Sequence, residues 1–246
     1  MTEPALLAKV IAHRGASGVA PENTLAAISL AASVGAKCVE IDASISSDNI
    51  PFVHHDDGLE RCTNGSGYLC AHTAAELDAL TASAGKADFE NEPLPRLSAM
   101  VSLLSSLQIG LNLEIKPTPG LEEPTAIAVC DVIRDSWPMD LPLVLSSFSR
   151  EALAVARDSL PGAARALLVC AVPTDWHHQT QLLQCRNLHM AAPLLDEQQA
   201  KDITDAGLGL YCFTVNQPDE AARLLAMGVH GVFTDYPEEM LIGLGS

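Results

Sequence analysis

Basic side chains are scarce in this chain of 246 residues, which has 14 Lys and Arg against 31 Asp and Glu and a formal net charge of −17 at pH 7. Binding to DNA, RNA or an anionic lipid surface depends on clustered Lys and Arg. No basic run of that kind occurs, so we expect no nucleic-acid partner. An anionic substrate would therefore need a local site, formed by a metal ion or by one or two placed cations.

Paired cysteines, long apolar runs and a basic leader are also missing. The seven cysteines include no C-x-x-C pair, which argues against a zinc or dithiol site. No run of about 18 apolar residues occurs, so we predict no membrane span. The start, Met1-Thr2-Glu3-Pro4, shows no secretory signal. We interpret the cysteines as reduced thiols of a cytoplasmic protein; they are Cys38, Cys62, Cys70, Cys130, Cys170, Cys185 and Cys212.

Short runs rich in Val, Ile and Leu alternate with longer segments of helical period. Most of the runs are apolar on both faces, as in a parallel sheet that is covered on each side. Eight such strand–helix units in residues 1–246 predict a single α/β domain, a (β/α)8 TIM barrel. A doubly wound open sheet is the alternative, because the alternation alone does not separate the two folds.

The predicted elements follow from these runs and from helix-ending signals. The predicted barrel strands are Leu6–Ala12, Lys37–Ile45, Gly110–Ile115, Leu141–Leu145, Arg165–Ala171, Asn187–Ala191, Gly209–Val215 and His230–Thr234. The predicted helices are Thr24–Val34, Ser98–Leu107, Pro124–Asp135, Arg150–Ser159, Trp176–Gln184, Glu197–Ala206, Asp219–Met227 and Glu238–Ile242. Several helices stop at glycine, as at Gly207 and Gly228, which fits a left-handed C-terminal cap.

One stretch after the second strand departs from this alternation. Phe52–His55 is typical of a further short strand. Turns and one short helix around Ala74–Leu80 follow it, up to residue 97. We predict a small insertion over about residues 51–97 rather than a second domain, because the stretch has too few apolar residues for a core of its own.

Acidic side chains occupy alternating positions on two predicted barrel strands. Side chains alternate across a strand, so Glu40 and Asp42 share one face. Their apolar neighbours must face the helices, which places the two carboxylates inside the barrel. Asn112, Glu114 and Lys116 face inward by the same rule. Glu114 adds a third oxygen ligand for a hard divalent cation; carboxylates paired with Arg or Lys are the alternative. Lys116 could hold a phosphate oxygen or neutralise Glu114.

Histidines stand at the ends of two predicted strands. His13 and Arg14 precede a glycine where the first strand meets a loop, so they can approach an anion closely; a capping histidine and a surface arginine are the alternative. His54 and His55 end the inserted strand and point in opposite directions, so we expect one of them to face the site. Zinc would need a third nitrogen or sulfur ligand at a fitting spacing, so we favour a general acid or base.

These residues belong to a longer series of motifs that resembles the glycerophosphodiester phosphodiesterase family. The series runs from residue 13 to residue 237 in the order typical of the family. The motifs are His13-Arg14-Gly15, Pro21-Glu22-Asn23-Thr24, Val39-Glu40-Ile41-Asp42, His55-Asp56-Asp57-x-Leu59-Glu60-Arg61, Asn64-Gly65-x-Gly67, Leu113-Glu114-Ile115-Lys116, Phe213-Thr214-Val215-Asn216 and Thr234-Asp235-x-Pro237.

The resemblance implies a (β/α)8 barrel that hydrolyses glycerophosphodiesters to sn-glycerol 3-phosphate and an alcohol. It also implies roles for single residues, and the substrate would be a small molecule. The implied ligands of one Mg²⁺ or Ca²⁺ are Glu40, Asp42 and Glu114. The implied acid/base pair is His13 and His55. The implied substrate contacts are Arg14 and Lys116 for the phosphate and Phe213 for the glycerol.

The chain departs from the family pattern at three positions. His54 replaces an apolar residue, Cys62 a threonine and Phe213 a tryptophan. Two other functions remain possible: a related barrel phosphodiesterase acting on lysophospholipids or other lipids, and a catalytically silent glycerophosphodiester binder. The attacking group is either water or the glycerol 2-hydroxyl. We expect the hydroxyl, because a vicinal group has a high effective molarity.

Overall fold

Strands and helices alternate along the computed structural model, which describes residues 4–5 and 7–245. The strands are β1 (Val10–His13), β2 (Cys38–Ile45), β3 (Pro51–Val53), β4 (Gly110–Ile115), β5 (Leu143–Ser147), β6 (Ala164–Val169), β7 (Asn187–Ala191), β8 (Gly209–Phe213) and β9 (Gly231–Thr234). The helices are α1 (Leu25–Ser33), α2 (Ala74–Leu77), α3 (Leu97–Leu107), α4 (Glu122–Ser136), α5 (Arg150–Ser159), α6 (Trp176–Leu182), α7 (Glu197–Asp205), α8 (Pro218–Ala226) and α9 (Pro237–Leu244).

Eight of these strands form a closed parallel barrel. The sheet order is β1-β9-β8-β7-β6-β5-β4-β2-β3, and β1 also pairs with β2. Both β1 contacts are parallel: His13 pairs with Glu40 of β2, and Ala12 with Thr234 of β9. Because β1 has a partner on each side, the sheet closes on itself. The predicted (β/α)8 barrel is therefore confirmed, and the open doubly wound sheet is not formed.

Several element bounds agree with the sequence prediction, and capping contacts lie at some of the helix ends. β4, β7 and α5 have the predicted limits. The Ser149 side chain accepts the backbone N–H of Ala152 and starts α5. Gly207 and Gly228 have φ of 82° and 96°, which confirms the left-handed caps predicted there.

The first strand is shorter than predicted. It begins at Val10 instead of Leu6, because the Leu7 backbone N–H donates to the Tyr211 hydroxyl at 2.7 Å and not to a neighbouring strand. Leu6 itself, and Met1-Thr2-Glu3 on which the leader prediction depends, lie outside the described residues. Across the described part of the chain, no helix combines the length and apolar character needed to cross a membrane.

The insertion is attached to the barrel through β3. This strand pairs antiparallel with β2, so that Val53 lies opposite Ala43. The segment between β3 and α3 contains α2 and two short 3-10 helices. It also buries an apolar cluster of its own, which corrects the expectation that it has too few apolar residues to form a core. The cluster consists of Phe52, Leu59, Leu69, Ala74, Leu77, Ala82 and Leu94.

Candidate active site

Three carboxylates meet near the C-terminal ends of β2 and β4. Asp42 pairs in register with Glu114, and Glu40 pairs with Asn112 on the same two strands. One carboxylate oxygen from each of Glu40, Asp42 and Glu114 lies within 4.8 Å of the others, and all three residues are buried. The predicted inward orientation of these side chains is confirmed, because period-two alternation on paired strands sets the face of each residue.

The electrostatics of this triad fit a divalent cation. Burial and the neighbouring carboxylates raise the pKa of Glu40 well above its usual value, and they raise the pKa of Glu114 to about 8. Burial also acts to raise the pKa of Asp42, but the charges of Arg14 and Lys116 outweigh it and lower that pKa. Three oxygen donors that repel one another when ionised are a suitable ligand set for a hard cation such as Mg²⁺ or Ca²⁺.

Two cations of the site contact the same carboxylate. Arg14 Nε lies 3.3 Å from Asp42 Oδ2, and Lys116 Nζ lies 3.8 Å from Asp42 Oδ1. The Arg14 backbone has φ of 56°, and its N–H donates to Glu40 Oε2 at 3.0 Å. The ion pairs considered as the alternative to a metal are thus formed at Asp42, whereas Glu40 and Glu114 keep raised pKa values.

His13, the last residue of β1, lies between two acidic groups. Its Nδ1 donates to Asp235 Oδ1 at 2.7 Å, and its Nε2 lies 3.9 Å from Glu40 Oε2. Asp235 also accepts hydrogen bonds from the Ser17 hydroxyl at 2.9 Å and from Asn216 Nδ2 at 2.8 Å. Burial acts to raise the pKa of Asp235, but these hydrogen bonds outweigh it and lower the pKa to about 2. The arrangement directs Nε2 towards the triad.

His55 has a comparable acidic partner. Its Nδ1 donates to Asp56 Oδ1 at 2.6 Å, and Arg61 Nε donates to Asp56 Oδ2 at 2.6 Å. Burial lowers the pKa of His55, and the nearby charges of Arg14 and Lys116 act in the same direction. The structure thus places an aspartate on the Nδ1 side of each of the two predicted catalytic histidines.

His54 points away from this site. It is buried, and its Nε2 lies 2.9 Å from the Gly58 carbonyl oxygen. The prediction that only one of the two adjacent histidines faces the site is therefore confirmed.

A cavity of about 190 Å³ contains these groups at the C-terminal ends of the strands. Every predicted site residue except Asp42 lines it. Its apolar wall includes two residues that the sequence analysis missed, Phe148 and Phe233. The rings of Phe148 and Phe213 meet edge to face, with centroids 6.0 Å apart. Phe148 directly follows β5, so the signal that could have found it is its place at the C-terminal end of a barrel strand.

Asp235 is the main polar residue that the sequence analysis left without a role. It occurs in the Thr234-Asp235 motif and directly follows β9, again at the C-terminal end of a strand. Its partner His13 is 222 positions away in sequence, so no local spacing pattern joins the two.

A (β/α)8 barrel with two aspartate-bound histidines and a buried carboxylate triad at the C-terminal ends of its strands has the layout of a barrel enzyme, and its triad is a group that can hold a metal ion. Residues 13–239 match the glycerophosphoryl diester phosphodiesterase family. The chain therefore belongs to this family of phosphoric diester hydrolases, and the resemblance found in the sequence is confirmed.

Individual relatives resemble this chain over nearly its whole length. A phosphodiesterase from Oleispira antarctica, solved in complex with the product sn-glycerol-3-phosphate, is 42% identical with a TM-score of 0.95, covering 98% of each chain. A glycerophosphodiester phosphodiesterase from Caldanaerobacter subterraneus is 29% identical over 94% of this chain and 96% of its own length. The structure of a glycerophosphodiester phosphodiesterase from Agrobacterium tumefaciens, 24% identical with a TM-score of 0.82, covers 96% of this chain and 100% of its own and shares the fold.

Proposed function

We propose that this enzyme hydrolyses glycerophosphodiesters to sn-glycerol 3-phosphate and an alcohol by metal-dependent acid/base catalysis. The observation that carries the proposal is the carboxylate triad, of which Glu40 and Glu114 line one cavity with His13, His55, Arg14 and Lys116, while Asp42 lies directly beside them. The product found in the Oleispira antarctica relative supports the same substrate class. The substrate is thus a small molecule, and the acidic surface still predicts no nucleic-acid partner.

Glu40, Asp42 and Glu114 are the residues that would hold one Mg²⁺ or Ca²⁺. Such an ion, when bound, neutralises negative charge on the phosphodiester and on the reaction's transition state. Arg14 and Lys116 add positive charge at the same cavity. Both side chains lie near Asp42. The Asp42 carboxylate therefore keeps them directed towards the place where phosphate oxygens would bind.

The two histidines are the proposed proton carriers. With Nδ1 hydrogen-bonded to Asp235 or Asp56, each ring keeps Nε2 for proton exchange. One histidine takes the proton of the attacking hydroxyl, and the other gives a proton to the departing alcohol. The aspartates fix the tautomer and stabilise the positive charge that each ring carries in turn. Phe213 supplies an apolar surface for the glycerol carbons.

The attacking group in our proposal is the 2-hydroxyl of the substrate glycerol. Its oxygen forms a bond to phosphorus while the bond from phosphorus to the alcohol oxygen breaks, which gives a cyclic glycerol phosphate. Water then opens the ring to sn-glycerol 3-phosphate. Rapid-quench samples should contain the cyclic phosphate. A substrate without the 2-hydroxyl that turns over normally, with no cyclic product in the quenched samples, would rule this route out.

The experiment that tests the function is release of sn-glycerol 3-phosphate from glycerophosphocholine by chelator-treated enzyme. We expect release only after Mg²⁺ or Ca²⁺ is added, and no release by His13→Ala or His55→Ala. The matched control is His178→Ala, because His178 is exposed on α6. Failure to release product with either metal across several head groups would contradict the proposal. It would favour a lipid substrate or a silent binder.

Two further expectations accompany this function. All seven cysteines are unpaired in the structure, and on that ground we propose a cytoplasmic location. We also propose that residues 1–246 form one domain, because the insertion is paired to β2 through β3.

A further inference from the structure

Asn112 is a buried polar residue of β4 that lines the cavity. It pairs with Glu40 across the strands and lies two residues before Glu114. Because side chains two residues apart share a face, Asn112 points into the barrel one step closer to its N-terminal end than Glu114. It lines the cavity although only 1% of its surface is exposed.

The amide of Asn112 is held on one side and unpaired on the other. Its Nδ2 donates to the Ser146 hydroxyl oxygen at 2.9 Å, and Ser146 is fully buried on the adjacent strand β5. Its Oδ1 is buried and has no hydrogen-bond partner among the described residues. Buried polar groups in native proteins are nearly always paired, so an unpaired acceptor in a ligand cavity points to a donor on the ligand.

The other polar groups of the cavity leave one feature of a glycerol ester unmatched. Arg14 and Lys116 suit the phosphate, the carboxylates suit a cation, and the phenylalanines suit the carbon chain. One histidine takes the proton of the attacking 2-hydroxyl, so the other free hydroxyl of the glycerol still needs an acceptor that the cation does not occupy. The neutral carbonyl oxygen of Asn112 has this chemistry.

We propose that Asn112 Oδ1 accepts a hydrogen bond from a hydroxyl of the substrate glycerol and selects glycerol esters over esters that lack this hydroxyl. Ser146 is then a positioning residue, which keeps Nδ2 turned away so that Oδ1 faces the cavity. This inference rests on the proposed function, since it concerns the glycerol half of that substrate. A site built to pair a hydroxyl discriminates strongly against the analogue without it, because its buried acceptor is then left unpaired.

Calorimetric binding to the metal-loaded protein tests the inference without relying on turnover. The ligands are sn-glycerol 3-phosphate and its two analogues that each lack one hydroxyl. We expect the wild type to prefer sn-glycerol 3-phosphate over one analogue by about tenfold or more, which corresponds to the loss of one buried hydrogen bond. In Asn112→Ala we expect this preference to fall to about one, while affinity for that analogue stays close to the wild-type value.

Two further variants separate this effect from general damage. Ser146→Ala keeps Asn112 but removes the hydrogen-bond partner of its Nδ2. The preference for sn-glycerol 3-phosphate over the analogue should therefore fall, but only in part. It also provides a test if Asn112→Ala does not fold. Asn187→Ala is the matched control, because Asn187 is a buried asparagine at the start of β7 whose side chain bonds to Ala5. Its removal should leave the preference unchanged.

Three outcomes would overturn the inference. An unchanged preference in both Asn112→Ala and Ser146→Ala would show that Oδ1 contacts no ligand hydroxyl. If Asn112→Ala retained the preference for sn-glycerol 3-phosphate but bound Mg²⁺ or Ca²⁺ about tenfold more weakly, Asn112 would be assigned to the metal instead. A wild type that binds neither sn-glycerol 3-phosphate nor its analogues would refute the proposed function and this inference with it; the first two outcomes leave the proposed function intact.

Discussion

Arg61 Nη1 lies 2.6 Å from Glu22 Oε2, an ion pair between the insertion and the loop that follows β1. The same guanidinium holds Asp56, the partner of His55, while Glu22 also accepts a hydrogen bond from Arg14 Nη1 at 2.8 Å. One side chain thus connects the environment of a proposed catalytic histidine with that of a proposed phosphate-binding arginine. We expect both His55 and Arg14 to depend on Arg61 for their orientation.

Arg61→Ala should therefore impair turnover although Arg61 does not line the cavity. We expect kcat to fall and KM to rise, each by about tenfold, because His55 and Arg14 lose a fixed neighbour. Arg61→Lys should not restore activity, since an ammonium group cannot form paired contacts with two carboxylates as the planar guanidinium does. Steady-state kinetics on glycerophosphocholine measure both parameters.

Arg96→Ala is the matched control for Arg61. Arg96 forms a two-point ion pair with Asp78 in the same region, with Nε at 2.8 Å from Oδ1, but it contacts no site residue in the described structure. Equal kinetic losses in the two variants would mean that Arg61 acts only by stabilising the insertion.

Asp235→Asn should lower kcat by on the order of 100-fold or more, the usual size of an acid/base contribution. Both oxygens of Asp235 accept hydrogen bonds, one from His13 and Ser17 and the other from Asn216. An amide would place an N–H donor against one of these donors and would remove the charge that stabilises protonated His13. The pH profile of kcat, measured beside KM, should shift, whereas a merely structural change would not move it.

Asp140→Asn controls for the loss of a surface carboxylate, because Asp140 is exposed in the loop before β5. The positioning role assigned to Asp235 is wrong if the pH profile of Asp235→Asn coincides with that of the wild type.

Glu114→Gln should weaken Mg²⁺ or Ca²⁺ binding at least tenfold and largely abolish turnover. The change removes one anionic ligand from a set of three. Added metal stabilises a folded protein that binds it, so the metal-induced rise in Tm of the wild type should also be lost. Calorimetry and thermal unfolding measure these effects, and Glu197→Gln, at an exposed position of helix α7, is the control. Near-normal activity of Glu114→Gln at limiting metal would refute the ligand assignment.

His189 should make the fold sensitive to acid. It is fully buried against Tyr211 and Phe233, and burial lowers its pKa to about 3 from the usual 6.5. Between these pH values the unfolded chain binds a proton that the folded protein does not. The free energy of unfolding should therefore decrease as pH falls from 6.5 towards 3. His189 alone should contribute up to about 1.4 kcal/mol per pH unit to this decrease.

Urea unfolding at a series of pH values measures that slope. His189→Leu should reduce the slope, whereas His178→Leu, which changes an exposed histidine, should keep it. A wild-type slope retained in His189→Leu would assign the acid sensitivity to other groups.

The sequence predicts those parts of the site that depend on local rules. Alternation along a strand placed Glu40, Asp42 and Glu114 on inner faces, and it predicted that His54 and His55 diverge. It could not show that Ser146 would hold Asn112 or that Asp235 would hold His13. Those pairs arise from the pairing of β4 with β5 and from the closure of the barrel, and they join residues that are 34 and 222 positions apart.

The same limit applies to the apolar parts of the structure. The cluster in the insertion draws on residues from Phe52 to Leu94, so no short window of sequence contains enough of it to indicate a core. Phe148 lies outside any recognised motif, and its ring meets Phe213 only after β5 and β8 have taken their places around the barrel.

Closure of the barrel through β1 and β9 also sets an order in which the site is completed during synthesis. All three triad carboxylates are present once residue 114 has left the ribosome, but Asp235 follows the strand that closes the ring. A nascent chain would thus carry the proposed metal ligands well before His13 has its aspartate. The acidic triad thus precedes Asp235 along the chain, so a partly made enzyme would lack a correctly oriented His13 to act as an acid or base.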